Sequence, residues 1–274
     1  MPKTRLDLAV VAHGLTPSRE QAQRLIMAGE VLVDGQMVDR PARLVTDGAV
    51  LTLKTRPRFV SRGGEKLEAA LAGFQIDVAG QVCADVGAST GGFTDCLVQH
   101  GAARVYAIDV GHGLLDQRLR TDPRVVVRED TNARYLEQLP EAVSFVSIDA
   151  SFISLKLLLP VVTGWLSGDT QRAAPAPPNV VALIKPQFEA GRQIVSRGGG
   201  VVRDPAVHRR VLEDVLAFAV AHGLTVRGLR RSPLLGPKGN AEFLAWLAWT
   251  PGAAGPADRQ PLLEAALGAG PVAP

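Results

Sequence analysis

Cysteine is nearly absent from this chain of 274 residues: there are two, Cys83 inside an apolar run and Cys96 a short way beyond it. Neither a zinc pattern nor a disulfide framework can be built from them, so no metal is expected and a reducing, cytoplasmic setting is. Long apolar runs are missing as well. No stretch approaches the roughly 18 uninterrupted apolar residues of a membrane span, and Met1-Pro2-Lys3-Thr4-Arg5-Leu6-Asp7 has no apolar signal core, which argues against secretion and membrane insertion. There is no internal repeat. Neither sign of charge dominates, since the net charge is +3 and the isoelectric point near 9.1, so a polyanionic partner must be argued from where Arg and Lys fall.

What the chain does have is enough apolar content, 46%, for one sizeable core and a small companion domain. Its most informative stretch is residues 82–95, Val-Cys-Ala-Asp-Val-Gly-Ala-Ser-Thr-Gly-Gly-Phe-Thr-Asp, where an apolar run breaks into a glycine turn and re-enters helix. Gly87 can take a positive φ, and Gly91-Gly92 removes side chains that would hold a ligand away from the helix start. The spacing is neither the Gly-x-Gly-x-x-Gly dinucleotide fingerprint nor a phosphate loop ending in Gly-Lys-Ser/Thr. Asp85, Gly87, Ser89, Gly91, Gly92 and Phe93 are therefore expected to hold a cofactor. Asp109, about twenty residues beyond the turn, is placed to accept hydrogen bonds from ribose hydroxyls, or to cap a helix before Gly111. Asp130 and Asn132 could hold an adenine edge, or be ordinary loop residues. Together these elements describe an adenosine ligand without phosphates, such as S-adenosylmethionine.

The first 55 residues form a separate unit in this reading. A helical pattern over 6–13, a loop feeding a helix capped by Ser18 or Thr16 and ending near Met27, two short strands around Asp34-Gly35 and a strand over 49–53 make a small α+β domain. Residues 56–64 read as a basic linker whose Arg62 suits a phosphate backbone. From 65 to 250, apolar runs at 82–86, 105–109, 125–127, 145–149 and 180–184 alternate with helical segments, which predicts a parallel sheet covered on both faces. Asp85, Asp109, Asp149 and Lys185 end four of these runs and are expected to converge on the crevice beyond the strands' carboxyl ends. Residues 168–178 read as a surface connection, 196–204 as a mobile loop, and 251–274 as a poorly ordered Ala/Gly/Pro-rich tail.

Residues 82–95, Asp109, Asp130, Ser147-Ile148-Asp149-Ala150-Ser151-Phe152-Ile153-Ser154 and Leu183-Ile184-Lys185-Pro186-Gln187-Phe188-Glu189 resemble the TlyA family of ribosomal RNA 2′-O-methyltransferases, once labelled hemolysins. The resemblance implies a Rossmann-like α/β methyltransferase domain of FtsJ/RrmJ type, with S-adenosylmethionine as cofactor. It also implies a Lys-Asp-Lys-Glu catalytic tetrad at Lys66, Asp149, Lys185 and Glu242. Such a tetrad suits a ribose 2′-hydroxyl, a weak nucleophile that needs orientation and stabilisation of developing negative charge. Lys185 would be the principal residue, held by Asp149 with Glu242 as a second candidate holder, and Lys66 would position the ribose.

Arg5-Leu6-Asp7, residues 18–22 and Val33-Asp34-Gly35 resemble the RNA-binding domain named after the fourth small-subunit ribosomal protein. That likeness implies RNA contacts at Arg5, Ser18, Arg19 and Arg24, with ribosomal RNA or ribosomal subunits as the partner. A cytosine carbon-5 enzyme would need a cysteine near the acceptor, and a base-amino enzyme an Asn/Asp-Pro-Pro-Tyr motif; neither is present. A non-catalytic ribosome-assembly factor and a membrane-lytic protein are the other readings, the first opposed by the filled tetrad and the second by the missing membrane span.

Overall fold

Val82–Val86 enters the interior with alternate side chains serving opposite faces of a sheet, and the strands beside it do the same. The structure is a computed structural model that describes residues 3–54, 57–166, 177–250, 252 and 259–268. It divides into two units, residues 1–58 and 59–274.

In the first unit, β1 (Lys3–Arg5) runs antiparallel to β4 (Leu44–Thr46), and β3 (Gln36–Met37), β2 (Val31–Val33) and β5 (Leu51–Leu53) form a three-stranded antiparallel sheet. Asp34 (φ 52°) and Gly35 (φ 77°) both take the positive φ of a tight hairpin turn. Helices α1 (Leu6–Ala12) and α2 (Arg19–Met27) cover Val31, Val33 and Val45 with Leu6, Val10, Ala22 and Ile26. Ser18 caps α2 by accepting from the Gln21 amide at 3.2 Å. β1 and β4 were not expected: three residues are too few to display an alternation.

The second unit holds a seven-stranded sheet in the order β11 (Leu224–Arg231), β12 (Phe243–Trp249), β10 (Asn179–Ile184), β9 (Phe145–Ile148), β6 (Val82–Val86), β7 (Arg104–Ile108), β8 (Val125–Arg128). Cys83, Val105 and Ala107 face α3 (Gly63–Phe74) and α4 (Gly92–Gln99). Ala84, Val86, Tyr106 and Ile108 face the other way, into the cluster built by α6 (Leu155–Thr163) and α9 (Pro205–Ala221). The short helices α5 (Gln117–Arg120), α7 (Pro186–Glu189) and α8 (Arg192–Arg197) lie in the connections.

Three expectations are corrected. The sheet is mixed, because β12 runs antiparallel to both β10 and β11; no crossover helix lies between β11 and β12, and an antiparallel pair needs none. The expected linker 56–64 is not a free connector: Phe59 is buried in the second unit and the Val60 amide donates to Asp95 at 2.8 Å. The tail contains a helix, α10 (Gln260–Gly268), whose Leu263 and Ala266 are buried. Of the expected connection 168–178 and the rest of the tail, most residues lie outside those described.

From β6 the chain builds outward through β7 to β8, then returns to β9 on the other side of β6. The crevice beyond β6 and β9 is the topological switch point of the sheet.

Candidate active site

Gly87 turns the chain at φ 84° so close to β9 that an added Cβ would sit 2.7 Å from the Asp149 carbonyl oxygen. The turn is then tied to β7, because the Ser89 amide donates to Asp109 at 2.8 Å while the other carboxylate oxygen accepts from the Gly111 amide at 2.7 Å. Beside it lies a cavity of about 650 Å³ lined by Gly87, Ser89, Ile108, Asp109, Val110, Leu114, Asn132, Arg134 and Leu158. Its apolar walls, with a carboxylate and an amide among them, match the size and chemistry of a nucleoside-binding cleft. Asn132 also accepts from the Arg134 amide at 3.1 Å.

Other expected cofactor residues serve this cleft from behind it. Asp85 is fully buried and accepts from Thr94 Oγ1 at 2.7 Å and Ser147 Oγ at 3.0 Å, so it braces the turn instead of facing the ligand. Burial first, then the nearby Asp149 charge, pushes its carboxyl up to about 7 against the hydroxyl hydrogen bonds. Gly91 packs on Leu115 and Leu119, and Gly92 lets the start of α4 meet Ser61 and Gly64. Asp130 is exposed at φ 53° and pairs with His112 at 2.7 Å, outside the lining of the cleft. Phe93 lies in a second cavity of about 430 Å³ with Arg62, Lys66, Gly87, Ser89, Gly92, Asp149 and Lys185.

A third cavity, about 1030 Å³, gathers Lys66, Asp149, Lys185 and Glu242. Lys185 Nζ lies 2.7 Å from Asp149 Oδ1 and donates to Ser151 Oγ at 2.8 Å. Lys66 Nζ donates to Glu242 Oε2 at 2.6 Å. Of the two candidate holders of Lys185, Asp149 is therefore the one beside it, and Glu242 pairs with Lys66. Asp149 and Ser151 line all three cavities and so stand where they meet.

Residues 59–249 match the FtsJ-like methyltransferase family, and residues 4–51 match the S4 domain. The chain belongs to the FtsJ-like methyltransferases. Among its relatives, the Mycobacterium tuberculosis protein named 16S/23S rRNA (cytidine-2′-O)-methyltransferase TlyA is 46% identical, covering 89% of this chain and 90% of that one. Hemolysin A of Brachyspira hyodysenteriae is 41% identical over 88% of this chain and 98% of its own. A solved structure from Streptococcus thermophilus, whose hemolysin label is provisional, superposes with a TM-score of 0.72 at 44% identity, covering 98% of this chain and 95% of that one. No helix among the described residues of this FtsJ-like methyltransferase is long and apolar enough to cross a membrane.

Several residues of the site escaped the sequence reading. Ser151 was visible two positions after Asp149, but only its bond to Lys185 gives it a place. Glu189 locks the Lys185 segment to the Asp149 segment by accepting from Ser154 Oγ at 2.6 Å and the Leu155 amide at 2.7 Å. Glu129 collects the amides of Gly113, Leu114 and Leu115 together with Arg120, fixing the loop that carries Leu114 into the lining of the 650 Å³ cavity. Phe152, 91% exposed at φ 64°, stands at the rim with its ring 5.0 Å from that of Phe188. The segment 196–204, expected as a mobile loop, is pinned: Asn240 accepts from the Val202 amide at 3.0 Å and donates to the Gly200 carbonyl at 3.1 Å.

In the first unit, Arg5 and Arg19 both reach Asp7, Ser18 is the cap of α2, and Arg24 is paired with Glu20 at 3.3 Å.

Proposed function

We propose that this protein transfers a methyl group to a ribose 2′-hydroxyl of ribosomal RNA, with S-adenosylmethionine as donor. The observation that carries the reading is the position of Asp149 at the junction of the three cavities, with Lys185 bound to it. The 650 Å³ cleft, with Asp109 and Asn132 in its lining, has the shape and polarity for the nucleoside part of the donor, whose sulfonium supplies an electrophilic methyl group.

In this reading the acceptor ribose enters the 1030 Å³ cavity. Lys66 and Lys185 bring two ammonium groups to it, each fixed by its own carboxylate, so the field is set before the substrate arrives. Lys185 Nζ stabilises the negative charge that develops on the 2′-oxygen as the hydroxyl proton is released to solvent and the methyl–sulfur bond breaks to leave a neutral thioether, Asp149 and Ser151 hold that nitrogen in place, and Lys66 orients the ribose. Arg5, Arg19, Arg24 and Arg62 supply phosphate contacts, and Ser18 presents the helix start that carries Arg19. Cytidine is the nucleotide in the name of the M. tuberculosis relative, and we extend it to this chain. A ribosomal substrate sets the work in the cytoplasm.

The test is methyl incorporation into unmodified small and large ribosomal subunits, followed by mapping of the 2′-O-methylated residue. Lys185→Ala should lose at least about a hundredfold in turnover while still binding the donor. Near wild-type turnover in that variant would remove Lys185 from the chemistry. No incorporation into either subunit by the native protein would turn the reading toward a ribosome-binding factor without catalysis.

A further inference from the structure

Asp7 carries a full carboxylate on α1, yet it has no exposed surface. Arg5 Nε donates to Oδ1 at 3.0 Å and Arg5 Nη2 to Oδ2 at 2.9 Å; Arg19 Nε and Gln23 Nε2 also reach Oδ2, at 2.9 and 2.8 Å. These donors come from the end of β1 and the first two turns of α2, so one carboxylate joins two elements that are far apart in sequence. The hydrogen bond from Arg5 is the largest of the influences that hold Asp7 well below the usual carboxylate range, with Gln23 and Arg19 adding to it. The group is therefore charged throughout the physiological range.

The two guanidinium groups remain partly open, with side-chain exposures of 39% for Arg5 and 52% for Arg19. Arg19 spends only Nε on Asp7, and among the described residues its two terminal nitrogens bond to nothing. A single negative charge beneath two positive ones leaves the cluster net positive. The positive end of α2 adds to the attraction for an anion. A flexible arginine must give up rotamer freedom when it grips a phosphate, whereas these two are already held by the carboxylate beneath them.

We propose that Asp7 is a positioning residue for RNA binding, which fixes Arg5 and Arg19 in advance as a paired clamp for backbone phosphates. This rests on the reading that the first unit meets ribosomal RNA. It makes a prediction of unusual sign. Replacing Asp7 by a neutral residue raises the net charge of the protein by one, which by charge alone should strengthen binding to RNA. Loss of the clamp should weaken it.

The experiment measures binding of the full chain to purified, unmodified ribosomal subunits over a salt series for wild type, Asp7→Asn, Asp7→Glu and Arg19→Gln, with thermal melts of each. Asp7→Asn should bind about fivefold or more weakly despite its lost negative charge, and Asp7→Glu, which keeps the charge but displaces it, should also weaken. In methyl transfer both should raise KM and leave kcat near wild type, a split that a general loss of folded protein would not give. Arg19→Gln should weaken binding and lower the salt slope by roughly 0.7 to 0.9. Weakening in Arg19→Gln with unchanged or tighter binding in both Asp7 variants would overturn the positioning role alone. Unchanged binding and slope in Arg19→Gln would instead overturn the reading that this face meets RNA, and the clamp with it. If neither Asp7 variant folds, the carboxylate serves the fold and the proposal is wrong.

Discussion

Lys66 Nζ rests 2.6 Å from Glu242 Oε2, although 176 residues separate the two in the chain. Lys66 lies on the first turn of α3 and Glu242 immediately precedes β12, so the pair ties the two ends of the methyltransferase unit together at the 1030 Å³ cavity that both line. The Glu242 side chain has no exposed surface and that of Lys66 only 12%. A charge enclosed this far depends on its partner.

Lys66→Met should therefore lower stability by about 3 kcal/mol, because it strands a buried carboxylate. Adding Glu242→Gln removes the stranded charge and should recover part of that loss in urea unfolding. Methyl transfer should stay at the level of the single variant. Recovery of activity along with stability would mean that the pair serves the fold alone.

Ser151 links the second lysine to the loop after β9, accepting from Lys185 Nζ at 2.8 Å. Ser151→Ala should lower kcat by about tenfold through looser placement of that nitrogen, with donor affinity changed little in calorimetry. A large loss of donor affinity would assign the hydroxyl to the cofactor instead.

The buried Asp85 makes stability depend on pH. Its carboxyl is raised from 3.8 to about 7 in the folded protein, so between those values the native state binds more protons than the unfolded chain, and stability falls as pH rises through that window. Asp85→Asn keeps an acceptor oxygen for one of the Thr94 and Ser147 hydroxyls, offers the other an N–H to accept from, and carries no charge. Denaturant unfolding of this variant should lack that decline, leaving it more stable than wild type at pH 8. A parallel decline in both proteins would show that Asp85 is not its source.

Glu129 shows the opposite sign. The Arg120 hydrogen bond, followed by those from the Leu115, Gly113 and Leu114 amides, outweighs desolvation and holds its carboxyl at about 2, below the ordinary 4.5. Its contribution is present above about 4.5 and is lost as pH falls toward 2. At neutral pH, Glu129→Gln should loosen the loop from Gly113 to Leu115 and weaken binding of the donor about fivefold or more, with amide exchange in that loop accelerated. Unchanged exchange would remove Glu129 as the anchor.

The parallel half of the sheet was legible because each strand is an apolar run bounded by turn residues, and three of them are followed by a polar side chain that lines the cavities, Asp109, Asp149 and Lys185. Asp109, Asp149 and Lys185 could be placed by that rule alone. The rule failed for Asp85, which precedes the last strand residue and so points into the helix-covered face, toward Thr94 and Ser147. β11 was missed because Leu224–Arg231 carries four arginine or glycine positions among its apolar ones, whereas β12, Phe243–Trp249, is an apolar run like the others and was open to the same reading. Pairing is decided by long-range register, as when Ile184 lies opposite Phe243, and no local pattern carries that information. The partner of Glu242 was unreadable for the same reason. Asp7 was passed over because, at the start of a helix, it looks like any acid there; only the fold brings Arg19 and Gln23 over it.

Because β12 lies between β10 and β11, the strand that follows Glu242 must enter a slot in the sheet whose two walls are made earlier in the chain. Order of synthesis then becomes order of competence. The glycine turn, Asp109 and Asp149 can all be in place while Lys66 still lacks its carboxylate, so the 650 Å³ cleft can form before the 1030 Å³ cavity is complete. A chain still being synthesised would carry Lys66 without Glu242, and the cavity that both line would stay unfinished until β12 is inserted.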